Sequence, residues 1–423
     1  MPEICWKHLL HSNIESSKLR YGEEAFSFWP KGWNLPEEYE HLKAHYESLP
    51  RDVEQTPIIL KPSMQACGNG IRCITHLSQL PPDDPFLKIK SVAQYYIPNP
   101  LLLDGFKVTF RIYVLLSSVA PLRAYIFPNG LGRICSHRYT TDISSFHDLF
   151  AHLTNYDINK HNMTDFLEHK GEGMSQEGLV TDGLRTDFLT VTNYLKRQGK
   201  DVGTLWSKMK LVTAKTLLAA DPKIASISTS NVKYRGTTFE ILGFDFLIDE
   251  DMNPWILEVN HAPNLEPHTP LETDLKRAMI RDALQLVDLP MASNPRVTHL
   301  ANTINGLNQT LNASGKSIDE QLHFHDSFGH QQTFPLSTLN HIEVWTIVEA
   351  EQEYKRLGQW QAVFPLENAD EQLLLTNTAT GSPEALYSLG CGGRRNDLLV
   401  KFRQLNMSSE EIIGRMEACA NVN

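Results

Sequence analysis

The sequence reads FEILGFDFLID over residues 239–249 and, after a short acidic turn, WILEVN over residues 255–260. Both runs have the apolar and aromatic content of buried strands, which predicts a hairpin. Alternate residues of a strand face the same side, so Glu258 and Asn260 point the same way and Asp245 on the neighbouring strand can join them. Charged groups inside apolar strands need a partner. Two carboxylates and an amide oxygen form a hard site that suits magnesium, completed by water and phosphate.

Basic residues elsewhere match such a site, because magnesium held in this way usually serves a nucleotide. Lys61 ends a short apolar strand ahead of a turn with Gly68 and Gly70, whose backbone N–H groups can approach phosphate oxygens. Lys107 and Arg111 lie on one face of a later strand. A plain hairpin explains the glycine turn as well, and a solvated strand face explains the cations, so these residues alone leave both interpretations open.

Two familiar phosphate-binding patterns are missing from the sequence. Gly315-Lys316-Ser317 has the ending of a P-loop, but Thr310 stands where that motif requires glycine. No His-Arg-Asp catalytic loop precedes Asp245, which argues against a protein kinase. The acids of the turn at 249–251 are explained by capping of the hairpin.

Composition narrows the classes of protein further. The 423 residues contain 39 Lys and Arg against 50 Asp and Glu, a formal net charge of −11 that disfavours generic nucleic-acid binding. Residues 1–20 lack the apolar core of a signal peptide, and the most apolar run, 112–127, is too short and too interrupted to span a membrane. The six cysteines form no C-x-x-C pair, which predicts reduced thiols and no zinc site.

The pattern along the chain predicts an α+β fold rather than a regular βαβ array. Residues 106–116 read as a buried strand, with hairpin partners at 122–127 and 133–136 around a turn at Asn129-Gly130. Helical periodicity dominates 166–218, 274–287 and 342–357.

A succession of motifs resembles the tubulin tyrosine ligase-like family of ATP-grasp enzymes, in order from about Trp29 to Leu289 and again over Val344–Pro365. The motifs are Ile59–Ser63, Gln94–Ile97, Gly105–Lys107, Arg111–Leu115, His152–Tyr156, Phe239–Asp245 and Leu257–Asn260. Residues 155–162 and 260–263 are most similar to the branch that adds glutamate, the polyglutamylases.

The resemblance implies an ATP-grasp fold with central and C-terminal lobes and a shortened N-terminal lobe. We expect a partial N-terminal lobe at 1–55, a central lobe at 56–104 and a C-terminal lobe with the metal site at 105–290. A linker or mobile loop at 291–341 and a helical tail at 342–423 would follow.

The resemblance also implies a role for each matching residue. Asp245, Glu258 and Asn260 would hold Mg²⁺. ATP would be bound by Lys61, Gln94, Tyr95, Tyr96, Ile97, Lys107, Thr154 and Asn155, with residues 94–97 forming the adenine hinge. Arg111 and Arg133 would steady the reacting carboxylates and, with Lys107, act in catalysis. His261 would face the incoming amino acid.

The activity implied is ATP-dependent ligation of a free amino acid, glutamate, to glutamate side chains of tubulin tails through an acyl phosphate. The cofactors would be ATP and Mg²⁺, the partner a protein acceptor, with no nucleic acid or membrane involved. A cytoplasmic location follows, with the microtubule, cilium or basal body as more specific options.

Three positions depart from the family pattern, and one of them is Cys67, where the chain-extending glutamylases commonly have Gln. Thr109 stands where the family usually has an acidic residue, and Asn69 lies between the glycines where arginine is usual. These departures motivate one alternative, a non-catalytic or weakly active member that serves as a protein-binding module. Within the enzyme class, a ligase specific for glycine or tyrosine also stays open.

Overall fold

The computed structural model describes residues 1–49, 56–65, 68–164, 166, 183–231, 239–288, 306, 321–325, 331–336, 339, 341–366, 375, 393–405 and 407–421. Helices and antiparallel sheets are mixed along the chain, which confirms the predicted α+β class. No described helix is both long and apolar enough to cross a lipid bilayer.

The described strands are β1 Gly32–Leu35, β2 Ile58–Pro62, β3 Arg72–Ile74, β4 Ser91–Tyr95, β5 Leu102–Leu103, β6 Phe106–Val119, β7 Leu122–Ile134, β8 Arg185–Asp187, β9 Glu240–Ile248, β10 Pro254–His261, β11 Gln321–His325, β12 Gln331–Pro335 and β13 Gln361–Phe364. The described α-helices are α1 Pro2–Cys5, α2 Lys7–Tyr21, α3 Tyr39–Glu47, α4 Leu149–His152, α5 Tyr156–Asn159, α6 Phe188–Arg197, α7 Val202–Asn231, α8 Pro270–Val287, α9 His341–Tyr354, α10 Gly393–Leu405 and α11 Ser409–Asn421.

A small antiparallel sheet has the strand order β1-β4-β2-β3. Its apolar side packs on α3, with Trp33, Leu35, Leu42 and Leu60 in one buried cluster. Strand β1 comes from the segment expected to form a partial N-terminal lobe, so that segment supplies an edge of the sheet formed by the expected central lobe.

The large sheet has the order β10-β9-β6-β7-β13 and forms the centre of the molecule. Apolar side chains cover both of its faces: one cluster includes Phe110, Phe244 and residues of α7, and the other includes Tyr113 and residues of α8. Burial on both sides explains why β6 and β9 read as nearly continuous apolar runs.

The turn predicted at Asn129-Gly130 is wrong. These residues lie inside β7, and the chain reverses instead at Ala120-Pro121, between β6 and β7. Gly130 is needed for close approach, because a Cβ atom there would lie 2.2 Å from the carbonyl oxygen of Arg111. The glycine signal was therefore real, but it marked contact between two strands and not a change of direction.

Local sequence signals determine where the helix that packs on the large sheet, α8, begins and ends. Helix α8 begins where the Thr269 hydroxyl accepts a bond from the backbone N–H of Glu272 at 3.2 Å, with Pro270 in the first turn. It ends at Asp288, whose left-handed backbone (φ 45°) closes the last turn.

The C-terminal part of the chain packs on the same core. Strand β13 pairs with β7 and forms this edge of the large sheet, and Glu353 of α9 accepts bonds from Arg123 and Tyr125 of β7 in the interior. The expected linker at 291–341 contains the β11–β12 hairpin; most of its other residues lie outside the described part of the chain.

Candidate active site

The three predicted oxygen ligands converge where β9 and β10 pair. Asp245 and Glu258 are directly opposite each other in the register, and the Asn260 amide nitrogen lies 3.2 Å from Glu258 Oε1 and 3.5 Å from Asp245 Oδ2. A bulge between Ile256 and Glu258 shifts the register just before the site. A β-bulge changes the direction of the side chains that follow it, and here the Glu258 side chain points towards Asp245.

Cations surround these carboxylates. Arg111 makes a two-pronged contact with Asp245, with Nη2 at 2.7 Å from Oδ2, and Arg133 Nη1 lies 3.3 Å from the same oxygen. Lys7 Nζ lies 2.9 Å from Glu258 Oε2. Burial alone would raise the pKa of Glu258, but Lys7, Arg111 and Asn260 together lower it to about 2. The Glu258 carboxylate is therefore ionised at neutral pH.

A glycine makes the Arg111 contact feasible. A Cβ atom at Gly243 would lie 2.6 Å from Arg111 Cδ and 2.9 Å from its Nε. The arginine side chain therefore lies flat against the β9 backbone on its way to Asp245, two residues further along that strand.

The residues present fit a divalent cation that prefers oxygen. Two buried or half-buried carboxylates and an amide face one another, and the amide can turn its oxygen inward because its two ends are nearly equal in size. Within the described ranges no three His, Cys, Asp or Glu side chains form a metal-binding group. The candidate site is therefore two carboxylates and an amide, completed by other oxygens.

The two predicted phosphate lysines are buried in the same cleft, Lys61 on the small sheet and Lys107 on the large sheet. Lys61 of β2 donates to Gln94 Oε1 at 3.0 Å and to the Leu257 carbonyl at 3.4 Å. Lys107 of β6 donates to Tyr96 Oη at 2.7 Å and to the His152 carbonyl at 2.9 Å. Burial lowers the pKa of each lysine to about 8, so both are mostly charged at neutral pH.

The predicted hinge is divided between two environments. Tyr95, Tyr96 and Ile97 line the cleft that also contains both lysines. The Gln94 side chain instead accepts from Lys61, and its buried Nε2 has no hydrogen-bond partner among the described residues. The side chain of Gln94 thus orients a phosphate lysine, whereas the expected contact with the base would involve the backbone.

The remaining predicted nucleotide contacts close the same cleft. Thr154 and Asn155 line it, and Thr154 Oγ1 lies 2.6 Å from Thr109 Oγ1. Thr109 therefore occupies the cleft wall at the position where the resemblance leads us to expect an acid.

A second cavity of about 960 Å³ adjoins this cleft. The two share Arg133, Asn155 and Glu258 in their linings, so they meet beside the candidate metal site. Arg111 and His261, which were predicted to face the substrates, line the second cavity together with the candidate metal ligand Asn260.

Two residues at the site were missed by sequence reasoning. Lys7 reaches Glu258 and the Gln65 carbonyl from helix α2, and its local sequence reads as an ordinary helix. Arg185 lines the second cavity, with its guanidinium 3.9 Å from the centre of the Tyr156 ring and 2.6 Å from Glu272 Oε1. The sequence around Arg185 gives little indication of its role, because Arg185 begins a strand of only three residues.

Two antiparallel sheets border a cleft that contains the candidate carboxylate ligands of the large sheet and one buried lysine from each sheet, an arrangement of the ATP-grasp class. The chain belongs to the tubulin-tyrosine ligase family, whose profile matches residues 1–296. This confirms the resemblance inferred from the motifs.

The chain is similar to several curated proteins. It is 30% identical over 378 residues to the tubulin monoglutamylase TTLL4 of Homo sapiens, covering 86% of this chain and 30% of that protein. It is 31% identical over 376 residues to a probable beta-tubulin polyglutamylase of Tetrahymena thermophila (88% and 29%), and 33% identical over 298 residues to the tubulin polyglutamylase ttll-5 of Caenorhabditis elegans (68% and 39%). It spans about three tenths of the length of the first two, and the expected similarity to the glutamate-adding branch is confirmed.

Proposed function

We propose that this chain is an ATP-dependent ligase that adds glutamate to glutamate side chains of tubulin. The observation that carries the proposal is the meeting of two cavities at Arg133, Asn155 and Glu258. One cavity has the lysines and backbone that suit a nucleotide. The other is large, polar and open to an acceptor and an amino acid.

The charges at that junction suit the joining of a carboxylate to an amine. ATP would supply the phosphoryl group that activates the carboxylate, and magnesium would neutralise charge on the phosphates. Asp245, Glu258 and Asn260 would hold the metal, and Lys61 and Lys107 would neutralise phosphate oxygens.

The arginines would act on the carboxylate that is being joined. Arg133 lines both cavities, so it can hold a carboxylate against the phosphate side, and Arg111 supports it from the second cavity. Fixed positive groups in a buried site stabilise negative charge as it develops, without reorganising at the moment of reaction. His261 borders the space left for the incoming amino acid.

The relatives supply the choice of substrates. Their names specify glutamylation of tubulin, and this chain covers only part of each of them. We therefore infer glutamate as the donor and tubulin as the acceptor, and with them a location in the cytoplasm at microtubules, cilia or basal bodies.

Incorporation of labelled glutamate into tubulin, with ATP and magnesium present, tests the proposal. Asp245→Asn and Glu258→Gln keep the shape of each side chain and remove its charge, so we expect each to lower the rate by about a hundredfold or more. Glu250→Gln is the matched control, since Glu250 is an exposed acid in the turn of the same hairpin. No incorporation of glutamate by the unaltered protein would refute the proposal, and incorporation of glycine or tyrosine instead would redirect it.

One observation favours the second candidate, a non-catalytic binding protein. Asp245 is already engaged by two arginines, and Thr109 replaces an expected acid in the cleft. A thermal-shift titration separates the two candidates, because a ligand that binds only the native state stabilises it by about 2.7 kcal/mol at a hundred times its Kd. Stabilisation by MgATP supports the ligase; its absence at millimolar MgATP supports the binding module.

A further inference from the structure

Two hydrogen bonds fix the ammonium group of the buried Lys107 in the cleft. Its ammonium group donates to Tyr96 Oη at 2.7 Å and to the His152 carbonyl at 2.9 Å, and its third N–H has no partner among the described residues. The side chain lines the cleft, so that remaining N–H is available to a ligand there. Two of its three donors are thus used to hold its position.

The Tyr96 hydroxyl, which accepts from Lys107, belongs to a chain of hydrogen bonds that continues through His152 to Ser145. Tyr96 Oη lies 3.0 Å from His152 Nδ1, and His152 Nε2 lies 3.2 Å from Ser145 Oγ. The Ser145 hydroxyl in turn donates to the Asp142 carbonyl at 2.5 Å. Lysine can only donate, so a single direction satisfies every atom: each hydroxyl donates onward and the imidazole carries its proton on Nε2.

Packing fixes the imidazole in this chain. His152 is 1% exposed, and its ring stacks on Phe146 at 4.4 Å between centroids with an interplanar angle of 14°. Burial and the nearby Lys107 lower the pKa of His152 to about 4, so the ring is neutral and Nδ1 is free to accept. The setting is therefore rigid and has a defined tautomer.

We infer that Tyr96 and His152 are positioning residues that aim Lys107 at the phosphates of a nucleotide. This inference rests on the proposed function for the nucleotide cleft. It gives the Tyr96 side chain a second task besides the expected backbone contact of the hinge. A nucleoside without phosphates makes no use of Lys107, so the Tyr96 hydroxyl matters for ATP and not for adenosine.

Binding of MgATP and of adenosine to the full chain, measured by calorimetry, tests the inference. Tyr96→Phe keeps the ring and removes the hydroxyl, so we expect the Kd for MgATP to rise about tenfold while the Kd for adenosine changes less than about twofold. Tyr39→Phe is the control: it removes a hydroxyl that donates to the Leu80 carbonyl at 3.1 Å, and Tyr39 does not line the cleft.

Two substitutions of His152 separate positioning from packing. The amide of His152→Asn can occupy the place of Nδ1 and accept from Tyr96, whereas that of His152→Gln reaches the place of Nε2 and leaves Tyr96 without its acceptor. We expect the asparagine variant to keep MgATP affinity within about threefold and the glutamine variant to resemble Tyr96→Phe.

Equal losses for MgATP and adenosine in Tyr96→Phe, or no loss for either, would overturn the inference, as would equal behaviour of the two His152 variants. Failure of the unaltered protein to bind MgATP would refute the proposed function instead, and is seen before any variant is compared.

Discussion

Replacing Gly243 with alanine tests the geometry of the candidate site without removing any of its polar groups. The added Cβ would lie 2.6 Å from Arg111 Cδ, whereas ordinary contacts begin at 3.4 Å, so the side chain must retreat by about 0.8 Å. A retreat along the Nη2–Oδ2 bond, now 2.7 Å, would lengthen it to about 3.5 Å, the limit of a hydrogen bond.

Loss of that bond sets the expected magnitude. Hydrogen bonds to charged groups contribute about 1.5–3 kcal/mol, and the buried Asp245 would keep only Arg133 and the Nε contact of Arg111. We therefore expect Gly243→Ala to lower the free energy of unfolding by about 1.5–3 kcal/mol. Ligase activity should fall as well, since Arg111 would no longer face the substrate cavity in the same place.

Urea denaturation of Gly243→Ala and of a matched control measures the effect. Gly414 lies within helix α11, and a Cβ there meets nothing within 4 Å. The same substitution at Gly414 should stabilise the protein by about 0.5–1 kcal/mol, because alanine is the better helix former. If Gly243→Ala is as stable as the unaltered protein, Arg111 does not depend on the missing side chain and the account of this contact is wrong.

Two further predictions concern charge. Burial lowers the pKa values of Lys61 and Lys107 to about 8, so both lysines lose their charge as the pH rises from 7 to 9. We expect the affinity for MgATP, measured by titration calorimetry, to be full below pH 8 and to fall about tenfold per lysine over that range. An affinity that does not change with pH would contradict a role for their charge. Glu353→Ala leaves the buried Arg123 without its main partner and should cost about 3–5 kcal/mol in thermal or urea unfolding, whereas the exposed Glu410→Ala should change stability by less than about 0.5 kcal/mol.

Short-range patterns were sufficient to predict that the three candidate ligands lie together. Alternation in β10 put Glu258 and Asn260 on one face, and their apolar surroundings indicated that Asp245 needed a partner. What the pattern could not show was the identity of those partners. Arg111 was visible on its own strand, but Lys7 comes from a helix more than two hundred residues away, and only the tertiary fold brings it to Glu258.

The errors have physical reasons too. Asn129-Gly130 carries the composition of a tight turn, yet the close approach of β6 demands the same small residue within a strand. The partner of the Gln94 side chain could not be read from its own segment either: strand pairing places β2 beside β4, so this side chain meets Lys61. Such choices depend on which strands become neighbours, and no local window contains that information.

The packing of β13 and α9 against β7 has a practical consequence for the design of shorter fragments of this protein. A fragment ending at residue 296, where the family profile stops, would lose β13 and α9. The backbone N–H and C=O groups of β7 that pair with β13 would then be unpaired at the edge of the sheet, and Arg123 would lose its carboxylate partner Glu353. An exposed sheet edge can pair with the edge of another molecule, which leads to aggregation. We therefore expect such a fragment to precipitate, although it keeps every candidate ligand.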